Sequence, residues 1–222
     1  MITLALELSS AQGSLALLSD EHVVAEEQWN EKNAHAQEFF RRLPGLMSRA
    51  RQRIEDVDCF AAGRGPGSYS GLRSAVTAAQ ALALPGGKPV FTVSSGEALA
   101  REIADREHAS AVAVIGDARR GTLWMGVFGL VGQELTALKP WAVIRSEELP
   151  TALPDGVVVA TPDWSRLTAV IEACPGPRVR WIPGDSYPTA TWVGRVAVER
   201  IRKGTASEPL TPIYMHPAVA TR

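Results

Sequence analysis

Residues 61–84, AAGRGPGSYSGLRSAVTAAQALAL, constrain this chain more than any other stretch. An apolar run over 57–62 ends at Gly63, and Gly65, Pro66, Gly67 and Gly71 follow before the next apolar residues. Glycine lets a backbone take positive φ angles and lie close against another surface. Ser68, Tyr69 and Ser70 place hydroxyls just ahead of a helical pattern, where N-cap residues belong. Leu72, Ala75, Val76, Ala79, Leu82 and Ala83 then recur at helical spacing, with Arg73 and Gln80 as the longest polar side chains. So bare a helix lets a second helix come close and suits packing on both sides.

A helix N-terminus behind a glycine loop is a ready anion site, because its free N–H groups and its dipole favour negative charge. The known phosphate patterns are not matched. A P-loop needs Lys and then Ser or Thr after its last glycine; here Leu72 and Arg73 follow Gly71. Gly65, Gly67 and Gly71 give Gly-x-Gly-x-x-x-Gly, one residue longer than the dinucleotide pattern. Two readings therefore stand: an anion-facing loop, or a structural strand-to-helix turn.

The 222 residues suffice for one large or two small domains, and 45% hydrophobic content supports a substantial core. A net charge of −1 supplies no global field toward nucleic acid or membrane. Cys59 and Cys174 lack CxxC spacing, so buried reduced thiols and a cytoplasmic setting are expected. The start, MITLALELSS, lacks a basic segment and alternates as a strand does, so it is not read as a signal peptide. No membrane span is expected, since no 18-residue apolar run exists.

Alternation predicts three opening strands, near 2–8, 14–19 and 23–29. A helix is predicted over 32–53, with Phe39, Leu43, Leu46, Met47 and Ala50 on one face and a kink at Pro44. A strand at 57–62, the glycine loop and bare helix, a strand at 89–93 and a helix from Ser95 to about Arg106 complete the first unit. Ser94-Ser95-Gly96-Glu97 resembles a capping box. The plan then begins again: strands at 111–115, 122–131, 134–138, 142–144, 157–160 and 179–182, with helices at 146–153, 162–173 and 189–203. Two sheet-and-helix units are expected, 1–105 and 106–222, the second ending in an extended proline-bearing tail.

Candidate chemistry is sparse. His22, His35, His108 and His216 include no pair within five residues, so no helical zinc or iron site is expected. Gly67-Ser68-Tyr69-Ser70-Gly71 is out of register for a nucleophile elbow. Glu7, Ser9 and Ser10 form a carboxylate-and-hydroxyl turn of the kind that holds Mg-phosphate, and Asp117 with Arg119 occupies an equivalent turn in the second unit. Two such turns suit a vestigial nucleotide site; the competing reading is two solvated strand-end acids. Six scattered tryptophans are not interleaved with a basic stripe, which argues against a direct nucleic-acid track.

The run Gly63-Arg64-Gly65-Pro66-Gly67-Ser68-Tyr69-Ser70-Gly71-Leu72-Arg73 closely resembles the signature G-R-G-P-G-S-F-T-G-[VL]-R of the TsaB (YeaZ) family. Ser9-Ser10 resembles that family's D-T-S turn, and Ala34-His35-Ala36-Gln37 its H-[AST]-x motif. Val93-Ser94-Ser95 with Ala98-Leu99-Ala100, Asp117-Ala118-Arg119-Arg120-Gly121, and Pro212-Ile213-Tyr214 with Pro217 resemble further motifs in the same order. Glu7 stands where the family has Asp, and Gly121-Thr122-Leu123 where it has G-E-V-Y.

The resemblance implies an α/β fold of the two-lobed actin-like/Hsp70-like (ASKHA, ribonuclease H-like) class. It implies a non-catalytic subunit with no cofactor or metal of its own, which dimerises with a TsaD-type paralogue. That paralogue transfers threonylcarbamoyl to adenosine 37 of ANN-decoding tRNA, the t6A modification. A TsaE-type ATPase as a further partner, a homodimer when alone, and contact with tRNA only through the complex are also implied. Carried over by residue, His35, Phe39, Leu43, Met47, Leu72, Arg73, Val76 and Ala79 are expected at the partner interface. An ATP-dependent phosphotransferase and a glycoprotease-like peptidase are the alternative functions.

Overall fold

The computed structural model describes residues 1–30, 35–132, 134–174 and 179–215, without the side chains of residues 35 and 36. The predicted helix start at 32–34, His216, Pro217 and the side chain of His35 lie outside the described residues. Two compact units result: residues 1–98 with 187–213, and residues 99–186 with 214–222.

The first unit is built on β1 (Ile2–Glu7), β2 (Gln12–Ser19), β3 (His22–Asn30), β4 (Cys59–Gly63) and β5 (Val90–Val93). Their order in the sheet is β3-β2-β1-β4-β5. β1–β2 and β2–β3 are antiparallel, whereas β1–β4 and β4–β5 are parallel. Its helices are α1 (His35–Arg49), α2 (Tyr69–Ala83), the start of α3 (Ser95–Glu107), and α6 (Ala190–Arg202).

Period-two alternation decides which helix covers which face. Leu4, Leu6, Leu15, Leu17 and Phe60 point to one side, where Phe39, Leu43, Leu46 and Met47 of α1 and Ala75, Val76 and Ala79 of α2 meet them. Ala5, Ala16, Leu18 and Ala61 point to the other, against Ala190, Val193, Val196 and Ala197 of α6. Large residues face the two-helix side, and mostly small ones admit α6. A Cβ added at Gly194 of α6 would stand 2.5 Å from Leu18 Cδ1, so the helix lies almost on the sheet.

The second unit repeats the plan. β6 (Ala111–Arg119), β7 (Thr122–Val131), β8 (Glu134–Arg145), β9 (Val157–Ala160) and β10 (Val179–Trp181) form a sheet of order β10-β9-β6-β7-β8. β6–β7 and β7–β8 are antiparallel, while β6–β9 and β9–β10 are parallel. Val112, Val114, Val158 and Ala160 meet Leu99, Ala100, Ile103 and Ala104 of α3 on one face. Ala113, Ile115, Val157 and Val159 meet Leu149 and Leu153 around α4 (Leu149–Ala152), and Leu167 of α5 (Trp164–Glu172), on the other. The doubled architecture read from the sequence is therefore present.

Three details differ from the sequence reading. The division does not fall at residue 105: residues 187–213, with α6, join the first unit because α6 buries its apolar face on the first sheet. α1 runs through Pro44 and ends at Arg49 rather than at Arg53, with Arg51 at φ 52° just beyond. The strands predicted at 134–138 and 142–144 are one, β8, which passes through Pro140. β8 is an edge strand, and its pairing with β7 skips register around Val127. Proline is tolerated where no ladder partner needs its N–H.

Candidate functional site

The glycine loop joins β4 to α2 and lies against the end of β1. Its glycines are placed by close approach rather than by flexibility. A Cβ on Gly63 would fall 1.8 Å from Glu7 Oε2, and one on Gly71 would fall 1.8 Å from the Leu8 carbonyl oxygen. Ser68 caps α2, its hydroxyl accepting from the Gly71 amide at 3.3 Å, and the Ser68 amide donates to the Ser9 carbonyl at 2.7 Å. Gly65 is at φ 99°. Its amide donates to the Ser95 hydroxyl at 2.9 Å, and its carbonyl accepts from the Ser95 amide at 2.8 Å and the Ser94 hydroxyl at 3.1 Å. The loop is thus held from both sides, by the turn after β1 and by the N-terminus of α3. In this arrangement it serves as a strand-to-helix turn.

Glu7 is fully buried at the centre of these contacts. Its Oε1 accepts from the Ser9 amide at 2.5 Å, while Oε2 makes no hydrogen bond. No cation pairs with it among the described residues. Burial pushes the Glu7 carboxyl up from 4.5; the Ser9 and Ser95 hydroxyls and the Ser9 and Leu8 amides offset part of that rise. Ser10 turns outward to its own loop, donating to the Gln12 carbonyl at 3.0 Å. The solvated-acid reading of Glu7 is therefore replaced: it is a buried carboxyl packed under Gly63.

A pH dependence follows. Between pH 4.5 and the raised folded value, the folded chain holds a proton at Glu7 that the unfolded chain has lost. This group therefore subtracts stability progressively as pH rises through that window and subtracts nothing below it. Glu7→Gln, neutral at every pH, is expected to lose this slope and to gain in melting temperature relative to the parent at pH 8 more than at pH 5. Thermal melts of both chains across that range check it; parallel curves contradict it.

In the second unit, the β6–β7 hairpin carries Asp117 and Arg119. Asp117 Oδ1 accepts from the Arg119 amide at 2.7 Å, and Oδ2 pairs with the Arg119 guanidinium at 3.0 Å. The Asp117 amide donates to Asp163 Oδ2 at 3.0 Å. Burial raises the Asp163 carboxyl, and the Asp117 amide and Arg166 partly offset it. The two turn residues between β6 and β7, Arg120 and Gly121, both sit at positive φ, at 53° and 73°, and Arg119, at φ 73°, ends β6 where its register with β7 shifts. Left-handed geometry at both turn positions is what a two-residue hairpin demands.

The residues expected at a partner interface divide differently. Phe39, Leu43, Met47, Leu72, Val76 and Ala79 are all buried within the first unit itself. They are the inward stripes of α1 and α2. Arg73 is exposed, with its guanidinium 4.5 Å from the Tyr69 ring centroid. The outward faces carry instead Phe40 (58% exposed), Pro44 and Gly45 on α1, and Tyr69 (54%), Thr77 and Ala81 on α2, with Leu84 (80%) just after it. α1 and α2 touch each other across the sheet face.

Sequence reasoning passed over the ties of Arg64. Its guanidinium donates to the Pro209 and Thr211 carbonyls at 2.9 and 3.0 Å, and pairs with Glu208 at 2.8 Å. Glu97, read as a capping-box acid, instead holds Arg200 with both oxygens at 2.8 Å. Only tertiary structure joins these positions. Among the described residues no cluster of three or more His, Cys, Asp or Glu could hold a metal, and no helix is long and apolar enough to cross a membrane.

The repeated sheet order and the glycine turn between β4 and α2 define an α/β protein of the actin-like, Hsp70-like class. Component A of the (R)-2-hydroxyglutaryl-CoA dehydratase of Acidaminococcus fermentans shares that fold, with a TM-score of 0.51 at 11% identity over 91% of this chain and 99% of that one. A solved Pseudomonas aeruginosa protein described as similar to the peptidase YeaZ superposes far better, with a TM-score of 0.83 at 26% identity over 97% of this chain and 99% of that one. The family model for TsaD, tRNA N6-adenosine threonylcarbamoyltransferase, matches residues 22–161. The Bacillus subtilis tRNA threonylcarbamoyladenosine biosynthesis protein TsaB is 32% identical over 128 residues, 58% of this chain and 55% of that protein. The chain spans about half the length of the curated relatives it matches. It belongs to the TsaD-related family, as a TsaB (YeaZ) member.

Proposed function

We propose that this chain is a non-catalytic subunit of t6A synthesis. It pairs with a TsaD-type protein and supports threonylcarbamoyl transfer to adenosine 37 of ANN-decoding tRNA. The observation that carries the reading is the outward surface of α1 and α2, where Phe40, Tyr69 and the neighbouring Leu84 expose large apolar side chains. Tyr69 and Leu84 lie at opposite ends of α2, so the apolar exposure is spread along that helix, as suits an extended docking face. Relatives named for threonylcarbamoyladenosine biosynthesis supply the pathway. A TsaE-type ATPase docks on that pair, the chain self-associates through the same helices when alone, and tRNA meets it only within the complex.

The buried Glu7 weighs against the phosphotransferase alternative. A carboxyl enclosed by Gly63 and Ser95 presents no oxygen to Mg-phosphate. Gel filtration of the chain mixed with its TsaD-type counterpart is expected to give a heterodimer, and t6A formation by the counterpart is expected to require that mixture. Separate elution, or Mg-ATP turnover by the chain alone, overturns the proposal.

A further inference from the structure

The segment over residues 207–213 lies along β5, the edge strand of the first sheet. The Thr92 hydroxyl of β5 donates to the Glu208 and Pro209 carbonyls at 3.0 and 3.1 Å, and the Thr92 amide donates to the Ser207 hydroxyl at 3.3 Å. Glu208 is shared by two arginines, Arg64 at 2.8 Å and Arg200 of α6 at 2.7 Å. The Ile213 amide donates to the Arg64 carbonyl at 2.7 Å. Apart from the pair with Arg200 of α6, these ties converge on the strand-end arginine of the glycine signature or on the strand beside it.

At the same residue, Ile213, the segment comes near the start of α2. A Cβ placed on Gly65 would stand 2.7 Å from Leu72 Cδ1 and 3.3 Å from the Ile213 carbonyl oxygen. The segment and the first turn of α2 therefore both pack close against Gly65, where no side chain would fit. Leu72 is fully buried, and its amide closes that first turn on the Ser68 carbonyl at 2.9 Å.

We propose that residues 207–213 act as a strap that Arg64 locks down, and that the strap sets the start of α2, and through it the outward helix face used for docking. Arg64 is a positioning residue: it serves the interface without touching the partner. This rests on the docking face proposed above, and it deepens that reading by assigning its control to the C-terminal segment. Two features suit the segment to the task. Pro209 and Pro212 cannot donate backbone hydrogen bonds, so the strap can be held over a sheet edge without becoming a further strand. Glu208 balances two guanidinium groups, so loss of its charge weakens both anchors together.

The test uses the full chain and two near-isosteric changes. Glu208→Gln keeps shape and removes the charge from the strap side; Arg64→Lys keeps charge and removes the paired carbonyl bonds. Amide hydrogen exchange is read at Ile213, at Ser68 and Leu72, and at β2 and β7 as internal controls. Both variants are expected to speed exchange about tenfold or more at Ile213 and at Ser68 and Leu72, with the controls unchanged. Glu208→Gln makes its change on the strap alone; because Glu208 also reaches the loop through Arg200 and Glu97 of α3, Arg64→Lys, which leaves that second route in place, is read beside it. Faster exchange at Ile213 with Ser68 and Leu72 at parental rates overturns the coupling, as does no change at either place.

Affinity for the TsaD-type partner is then measured for the same variants. A loss of about fivefold or more with an unchanged β2 and β7 supports control of docking, in the range of ordinary coupling between sites. Parental affinity despite loosened Ser68 and Leu72 overturns it. If the parent chain itself binds no partner, the proposed function fails, while the strap coupling is still decided by the exchange rates alone.

Discussion

Gly71→Ala is expected to destabilise the chain by about 3 kcal/mol, the upper range for forcing one atom into a packed site. The added Cβ would stand 1.8 Å from the Leu8 carbonyl oxygen. That atom belongs to backbone continuing β1, so no flexible side-chain end can swing aside. Either α2 shifts away from the sheet or the turn after β1 gives up its contacts with Ser68. For a chain of this length the loss corresponds to a fall of about 10 °C in melting temperature. Gly45→Ala in α1 is the control. Its nearest neighbour would be Arg49 Nη1 at 3.6 Å, so the space is open. There the substitution is expected to add about 0.5–1 kcal/mol, the ordinary gain of alanine over glycine in a helix. Urea titration of both variants checks the pair. Equal effects would show that close approach does not place Gly71.

Phe40→Glu is expected to weaken binding to the TsaD-type partner by about 100-fold, the loss typical when a central aromatic anchor is removed and a charge is buried in its place. Its ring is 58% exposed and touches Phe39 edge-on, with centroids 4.7 Å apart. The cost to the chain's own stability is therefore expected to stay within about 1 kcal/mol, as for most surface changes. Calorimetric titration against the partner, beside a thermal melt, separates the two effects. Val76→Arg gives no such separation. Val76 is 4% exposed within the first core, and an unpaired guanidinium there unfolds the unit before any interface is tested. Unchanged affinity in Phe40→Glu would remove the α1 face from the docking surface.

The contrast between Phe40 and Phe39 also shows how far the sequence could be read. Alternation marks β1 and β7 and a continuous apolar run marks β6, because a strand covered on both faces feeds one core or the other at every residue. The large residues of β1 and β2 and the small ones between them even foretell unequal layers, two helices on one face and a close helix on the other. What an apolar stripe does not record is whose core it enters. Phe39, Leu43, Met47, Leu72, Val76 and Ala79 have the spacing and size of an interface, and the same spacing and size make them the inside of their own unit. The outward Phe40 carries no periodic mark. Pro140 marks a break by its chemistry, yet an edge strand with slipped register absorbs it.

Contacts across long separations were legible least. Arg64 was conspicuous as part of a signature, but its partners Glu208, Pro209 and Thr211 lie in a proline-bearing tail with no periodicity. Glu97 satisfies a local capping pattern, yet its carboxylate is held by Arg200 Nη2, because a largely buried carboxylate gains more from a charged guanidinium than from a backbone amide. Glu7 was read at the correct turn with the wrong environment. Only the packing of Gly63 against its carboxyl reveals that water is excluded.

The return of α6 to the first sheet has a consequence for biosynthesis. The face formed by Ala5, Ala16, Leu18 and Ala61 is finished only by Val193, Val196 and Ala197, so a nascent chain on the ribosome displays one naked apolar layer while the entire second unit is still being translated. Contacts of such long sequence separation slow folding and leave surface open to aggregation. Chaperones that bind nascent apolar surface have their opportunity on this chain during that interval, which closes when α6 emerges.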